Sequence, residues 1–420
     1  SYSDLQKAID GFDAVIARDI PEGAVVSFNG DYSLEAIALF LALLRRRAIV
    51  VPLSSDSSVH FDEYRDIAQV EYEVSFQNST IDCRRTQRKV ESELYHRLRD
   101  SESAGLVLFS SGSTGKSKAI VQDLSLLLEK FRKPGKPQTM LIFLQLDHIG
   151  GINSLLYSLA NGGTLVTPAS RAPTEVATAI EKHAVELLPT SPTFVNLLLL
   201  SGALEQHDLS SLKLVTYGTE PMQESTLARF RAALPEVRLQ QTYGLSEVGI
   251  LRSRSRSSDS LWMQVGGAEF ETKIQNGTLW IRAQSAMLGY LNAPSPFDDE
   301  GFFDTGDLVE QDGDWIRILG RTSEIINVGG QKVYPAEVES VLLNMDGVED
   351  VVVFGQKNPI TGAAVVAKFK ISSEETPRAL KMRVIKHCQG KLPSYKVPAR
   401  VTITTEGTFN ERFKRMRRPD

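Results

Sequence analysis

Nine residues, Ser110 to Lys118, read SSGSTGKSK and follow directly on the apolar run Leu106-Val107-Leu108-Phe109. No other stretch leaves the backbone so few options. A buried strand must open here into a loop whose two glycines let successive N–H groups converge, whose hydroxyls add short donors and whose lysines add charge. Such a loop closes around a polyphosphate, so nucleotide chemistry is the first expectation, with a Ser/Gly-rich surface turn as the plain alternative.

At 420 residues the chain exceeds one ordinary core, and two to four domains or lobes are expected. A net charge of −5 with 24% charged residues gives no basic surplus for gripping nucleic acid. The two cysteines, Cys83 and Cys388, lie far apart in sequence, which argues against a disulfide framework or a cysteine metal site. A reducing compartment, by default the cytoplasm, is the expectation. The longest clean apolar run, Ala36 to Leu44, has nine residues and ends in Arg45-Arg46-Arg47. A bilayer needs about twenty, so this run reads as a buried helix and no transmembrane segment is expected. Asp4, Lys7 and Asp10 precede any apolar run, unlike a signal peptide.

Up to about Leu53 the pattern alternates helix, strand (Gly23 to Phe28), helix (Leu34 to Leu44) and strand (Ala48 to Leu53). Val74 to Asp100 is charged and weakly patterned, with Arg84, Arg85, Arg88 and Lys89 reading as a solvated face. Alternation resumes with a helix near Leu124 to Phe131, strands at Met140 to Leu144 and Thr164 to Val166, helices at Thr174 to His183 and Phe194 to Leu200, and a strand at Leu212 to Tyr217. Past Gly249 the texture becomes β-rich, with short runs at Glu271 to Gln275, Thr278 to Arg282 and Trp315 to Leu319. Arg252-Ser-Arg254-Ser-Arg256 reads as a mobile exposed loop. The last hundred or so residues read helix (Pro335 to Met345), strand (Val348 to Phe354), strand (Ala363 to Lys370) and helix (Pro377 to Gly390), then a basic tail, as a small separate domain.

A P-loop NTPase is the sharpest competitor. Ser110 to Ser117 differs from G-x-x-x-x-G-K-[ST] only at its first position, and Leu141 to Asp147 resembles a strand-plus-acid element that would hold magnesium. That reading leaves three further clusters unexplained. In Gln241 to Gly249 an aromatic ring and a carboxylate flank a glycine turn, suited to stacking on a base and holding a hard cation. In Phe303 to Leu308 the carboxylate of Asp307 sits on a glycine turn where it could accept from ribose hydroxyls. The third cluster runs from Gly320 to Glu339. Each alone could be a β-turn or helix cap.

Taken in order, the Ser110 loop, TYGLSE, FFDTGDL, GRTSEIINVGGQKVYPAEVE and LPSYKVP resemble the adenylate-forming superfamily of acyl- and aryl-CoA ligases, peptide-synthetase adenylation domains and luciferases. SYSDL at the start, LLRRRAIVVPL from Leu43 and GTLWIRAQSAMLGYL from Gly277 are similar to further family elements. The resemblance implies an α/β fold. A large multi-lobed N-terminal AMP-binding domain (1–320), with two αβ sheets and a β-rich barrel-like lobe, would join through a hinge (321–326) to a small mobile α+β C-terminal domain (327–420). It implies an enzyme in which a carboxylate attacks the α-phosphate of MgATP to give acyl-AMP, and a thiol then displaces AMP to form a thioester.

By resemblance, Ser110, Ser111, Gly112, Ser113, Thr114, Gly115 and Lys118 form the phosphate loop. Gly218, Thr219, Glu220 and Tyr243 bind adenine, Glu247 holds Mg2+, and Asp307 with Arg321 clamps ribose. His148 borders the acyl pocket or simply caps a turn. Ile149 stands where amino-acid-activating relatives carry an acid, which implies an acid without an α-amino group, although Asp147 lies two positions away. Ser323 marks the hinge, and Gly329 and Gly330 line the thiol channel. The family's terminal Gly-Lys-x-x-Arg is altered: Lys–Arg spacing selects Lys414 with Arg417 as the catalytic cation, and the preceding Thr-x-Asn selects Arg412 with Arg415. Lys414 is preferred because a compact ammonium differs from a planar guanidinium at a developing charge. Ser117 and Ala119 replace the usual Pro and Gly, and the region before the loop is short for the family. With no carrier segment in the chain, the thiol would come in trans, as CoA or as the phosphopantetheine of a separate carrier protein. A degenerate nucleotide- and acid-binding protein remains the reading from another class.

Overall fold

The strand Gly105–Ser111 and the strand Ser117–Asp123 pair antiparallel on either side of the glycine-rich loop, with Gly105 opposite Asp123 and Ser111 opposite Ser117. The computed structural model describes residues 1–77, 80–111, 117–267, 269–405, 407–409 and 415–417, with residues 56, 77 and 111 described by backbone alone. The loop positions Gly112, Ser113, Thr114 and Gly115, and the tail positions Arg412 and Lys414, lie outside the described residues.

The pair belongs to a seven-stranded sheet in the order Gly289–Tyr290, Ser117–Asp123, Gly105–Ser111, Ile49–Leu53, Val25–Asn29, Tyr72–Gln77 and Thr80–Arg85. Its centre is parallel and its two margins are antiparallel. A second, all-parallel sheet has five strands, with Leu187–Thr190 central between Leu214–Tyr217 and Thr139–Leu141. The helix Leu34–Arg45 starts where the Ser33 hydroxyl accepts from the Ala36 N–H, and its apolar residues pack against the helix Tyr2–Asp19 and the first sheet. Because it meets apolar neighbours on most sides, it shows no polar face, as its sequence requires.

A six-stranded antiparallel sheet follows, built from Ser253–Ser255, Met263–Val265, Trp315–Arg321, Phe303–Asp312, Thr278–Ala283 and Phe270–Gln275. Tyr243–Leu245 and Gly249–Leu251 form a two-stranded sheet, and from Ile326 onward a fifth sheet and the helices Pro335–Leu342 and Pro377–Cys388 enclose a core of their own. The α/β expectation, with a β-rich lobe and a C-terminal unit, describes this architecture.

Two local expectations need correction. Arg252 to Arg256 is not a loop: Ser253–Ser255 pairs with Met263–Val265, Arg254 lies 5.3 Å from the Trp315 ring centre, and Arg256 reaches Asp312 at 2.7 Å. Long guanidinium stems cover the indole face, so a polar run can form strand. The weakly patterned stretch after Val74 also carries structure, a hairpin and the helix Glu93–Asp100, with Arg84 and Arg88 paired to Glu73 on its exposed face. Among the described residues no helix is long and apolar enough to cross a membrane.

Candidate functional site

The element after the glycine-rich loop decides between the two nucleotide readings. A P-loop requires a helix whose N-terminus faces the phosphates. Here a strand follows, and Asp147, the acid of the supposed partner strand, lies outside Thr139–Leu141 and accepts from the hydroxyls of Ser54 (2.7 Å) and Ser57 (2.9 Å). The P-loop arrangement is therefore not built.

The predicted carboxylates and aromatics do meet. Tyr243 donates to Asp307 Oδ2 at 2.5 Å, and Arg321 Nε, opposite Asp307 on the neighbouring strand, donates to Asp307 Oδ1 at 3.2 Å, so a distant tyrosine and a cross-strand arginine share one carboxylate. Asp307 is buried, and burial pushes its carboxyl above the usual range against the pull of Arg321 and the Tyr243 hydroxyl. Burial and the Asp307 charge together hold the Tyr243 phenol far above its ordinary value, so it acts as a donor. Glu247 Oε1 accepts from Tyr290 at 2.9 Å, and the Lys118 ammonium lies 4.8 Å from the Tyr290 ring centre. Two groups are thus built, Tyr243 and Arg321 on the Asp307 carboxylate and Tyr290 between Glu247 and Lys118, and the Glu247 charge adds a smaller pull on Arg321 than Asp307 does.

Gly218 follows the strand Leu214–Tyr217 and abuts the chain at Thr242: a Cβ there would stand 2.6 Å from Thr242 Oγ1 and 2.8 Å from its carbonyl oxygen. Thr219 takes φ 74°, a left-handed conformation that β-branched residues rarely adopt. Glu220 accepts from the Thr193 N–H (2.8 Å) and hydroxyl at the start of the helix Pro192–Leu200, and from the Arg415 N–H at 3.1 Å. It therefore ties the loop to the C-terminal tail.

His148 is the N-cap of the helix Ile149–Ala160, its Nδ1 accepting from the Gly150 N–H at 3.1 Å, which is the capped-turn alternative. Ser110 is the penultimate residue of the strand before the loop, opposite Lys118. Ser323 lies exposed in the turn Thr322–Glu324 immediately after Arg321. Gly329 and Gly330 form the exposed tip of the hairpin Ile326–Val328/Gln331–Val333 with φ of 57° and 85°, and their N–H groups donate to Thr361 and Asn327 rather than into the Asp307 cluster. Among the described residues no group of three or more His, Cys, Asp or Glu gathers as for a metal.

The described tail arginines, Arg415 and Arg417, are in sequence only the spacing partners of Arg412 and Lys414 in a basic tail, and both are held by carboxylates. Arg417 donates to both oxygens of Glu339 (3.0 and 2.9 Å) and to Glu324 at 2.8 Å; Arg415 lies 3.0 Å from Asp350. Glu339 is fully buried; burial would raise its carboxyl, but Arg417 and Arg415 outweigh this and hold it below the usual range. Sequence reasoning gave no role to Tyr290 and Asn292. The glycine before Tyr290 was a signal for close approach, but nothing local marked its partner.

The family model of AMP-binding enzymes matches residues 1–291. The chain belongs to this family. The model of the AMP-binding enzyme C-terminal domain matches residues 337–409. Acyl-CoA synthetase 7 of Caenorhabditis elegans is 30% identical over 336 residues, 71% of this chain and 61% of that protein. 4-Coumarate–CoA ligase 3 of Arabidopsis thaliana is 31% identical over 302 residues, 63% of this chain and 54% of that protein. The chain thus spans about three fifths of the first curated relative's length and about half of the second's. The fold is shared with ATP-bound MatB from Rhodopseudomonas palustris, at TM-score 0.79 and 21% identity over 98% of this chain and 91% of that one. It is also shared with the o-succinylbenzoate CoA synthetase MenE of Bacillus subtilis in complex with its acyl-adenylate, at TM-score 0.76 and 20% identity over 99% and 92%.

Proposed function

We propose that this AMP-binding enzyme is an ATP-dependent carboxylic acid:CoA ligase, which activates an acid without an α-amino group as acyl-AMP and then forms the thioester. The observation that carries the proposal is the convergence of Tyr243 and Arg321 on the Asp307 carboxylate in a member of the family; beside it stand Glu247 and Lys118, both held by Tyr290. Asp307 and Arg321 present a carboxylate and a guanidinium for ribose, and Tyr243 braces Asp307 beside adenine held at Gly218, Thr219 and Glu220. Residues 110–118 steer the leaving pyrophosphate, and Lys414 at the tail neutralises charge where acid and α-phosphate react. His148 borders the acid.

Glu247 fits a magnesium site. Among the described residues one of its oxygens is engaged and the other is open, and Mg2+ is commonly held by one or two protein carboxylates with phosphates and water completing its shell. When bound there, the ion would neutralise phosphate charge. Two facts favour a substrate lacking an amino group: Ile149 is buried and apolar, and Asp147 is turned to Ser54 and Ser57. The names of the curated relatives favour CoA over a carrier protein's phosphopantetheine as acceptor. We assign the domains as 1–320 and 327–420 around a hinge at 321–326 centred on Ser323, with the separate core after Ile326 in support. Rotation about it would bring Gly329 and Gly330 to line the thiol channel. The two cysteines, neither in a disulfide, suit a reducing compartment such as the cytoplasm.

The test is acid-dependent pyrophosphate exchange across fatty, aryl and dicarboxylic acids, with thioester and AMP measured when CoA is added. ADP and phosphate as products, or ATP binding without exchange on any acid, would overturn the proposal. Lys414→Ala should abolish exchange yet leave thioester formation from pre-made acyl-AMP largely intact; loss in Arg412→Ala with unimpaired Lys414→Ala would move the role to Arg412.

A further inference from the structure

Tyr290 has two partners that belong to different parts of the site. Its hydroxyl donates to Glu247 Oε1 at 2.9 Å, and one face of its ring meets the Lys118 ammonium at 4.8 Å. The backbone around it is fixed from both sides. Gly289–Tyr290 pairs with Ser117–Asp123, Tyr290 standing opposite Ile120, and the N–H groups of Leu288 and Leu291 donate to Val121 and Ala119 at 2.8 and 3.0 Å. The Met287 N–H donates to the Glu247 carbonyl at 2.7 Å. Two residues further on, the Asn292 amide accepts from the Ala119 N–H (3.0 Å) and donates to the Ser117 carbonyl (2.8 Å). The segment from Met287 to Asn292 is thus bonded at one end to Glu247 and at the other to the strand that leaves the glycine-rich loop.

We infer that Tyr290 is a positioning residue that couples the cation ligand Glu247 to the phosphate loop, an inference that rests on the roles proposed above for Glu247 and residues 110–118. A buried phenol seeks an acceptor, and here it takes one carboxylate oxygen. Glu247 then holds one orientation before a cation arrives, with its second oxygen available. The ring face draws the Lys118 ammonium toward the same point. Because one side chain fixes both groups, cation binding and triphosphate binding reinforce each other.

Tyr290→Phe removes the hydroxyl and keeps the ring, whereas Tyr290→Leu removes both. The readouts are Mn2+ binding to the ATP-loaded protein by electron paramagnetic resonance, and ATP binding in the presence of EDTA. Losing a hydrogen bond to a charged group should weaken Mn2+ binding about tenfold in Tyr290→Phe, with metal-free ATP binding unchanged. Tyr290→Leu should weaken both. Adding Glu247→Gln to Tyr290→Phe should cost less than the two single effects combined. The inference is overturned if Tyr290→Phe binds Mn2+ as the wild type does, or if it loses Mn2+ and metal-free ATP alike, as a merely structural residue would. Unchanged Mn2+ binding in Glu247→Gln alone would instead overturn the assignment of Glu247, and the inference with it, which separates that failure from a failure at Tyr290.

Discussion

Arg417→Met should loosen the C-terminal unit by about 3 kcal/mol. The arginine holds both oxygens of Glu339, which has no exposed surface, and also bonds Glu324. Removing one partner of a buried ion pair costs about 3–5 kcal/mol, because the remaining charge is left without water or counter-charge. The lower end applies, since Glu339 keeps the Val353 N–H at 3.0 Å and the Arg415 guanidinium at 3.9 Å. Methionine retains the apolar stem, so the loss is of charge and donors rather than volume. Tryptophan fluorescence would miss the change: Trp262, Trp280 and Trp315 all belong to the six-stranded sheet or its margin. Hydrogen exchange of the helix Pro335–Leu342, which carries Glu339, reads it directly. At about 3 kcal/mol its amides should exchange roughly a hundredfold faster, while the helix Leu34–Arg45 in the separate core of the first sheet should not change. Replacing both partners, Arg417→Met with Glu339→Leu, should recover at least half of the loss, since an apolar pair needs no compensation. Exchange within threefold of wild type in the single variant, or a double variant as labile as the single, would refute the reasoning.

Gly218→Ala forces a Cβ to 2.6 Å from Thr242 Oγ1 and 2.8 Å from its carbonyl oxygen, and the backbone there cannot simply swing aside. A loss of about 1–3 kcal/mol in stability is expected, with calorimetry showing weakened ATP binding; unchanged affinity would show that this turn does not meet the nucleotide. Asp307→Asn keeps an acceptor for Tyr243 but removes the charge facing Arg321, and should weaken ATP binding by about 1.5–3 kcal/mol in titration calorimetry. The folded pKa of Glu339 lies below its ordinary value of 4.5, so its contribution is complete above that value and disappears as pH falls through the folded pKa. The protection of the helix Pro335–Leu342, measured as exchange relative to the intrinsic rate at each pH, should therefore fall in acid in the wild type, and less so in Glu339→Gln.

Much of the fold was legible because periodicity is local. Thr164–Val166 lies where the apolar run placed it, and the helix Leu34–Arg45 had nowhere to put a polar face. In the second sheet Thr139–Leu141 and Leu214–Tyr217 were likewise found within a few residues of their ends, but the central strand Leu187–Thr190 and the edge strand Arg238–Gln241 were not; in the C-terminal unit both helices and the strands Val348–Asn358 and Gly362–Ile371 were found, but Ile326–Val328, Gln331–Val333 and Arg400–Ile403 were not. The strand after the glycine-rich loop was also open to reading. Ser117–Asp123 contains Ala119-Ile120-Val121, and its β-branched centre favours a strand over the helix a P-loop needs. The near-match to a Walker loop lies in the loop's composition alone, because the element that follows it is a strand. The error at Arg252 to Arg256 has the opposite cause: charge was counted as solvation, when Trp262 and Trp315 supply faces that guanidinium groups can cover.

Glycine turns and positioning residues leave different traces. Asp307, Tyr243 and Gly218 are marked by neighbours in sequence, because each stands at a turn whose backbone demands particular residues. Tyr290, Glu324 and Glu339 are ordinary residues in ordinary elements, and each acquires its role from a partner elsewhere in the chain. Arg417 and Glu324 are 93 residues apart, and Arg415 and Glu220 are 195 apart. The consequence reaches the tail. Lys414 with Arg417 and Arg412 with Arg415 are rival pairings by spacing, and in both the second member is an arginine buried against carboxylates of the C-terminal unit. Each arginine therefore has a reason to be where it is that owes nothing to the reacting phosphate. Spacing thus does not separate Lys414 from Arg412, and chemistry does: an ammonium and a guanidinium present different charge geometry to the same carboxylate.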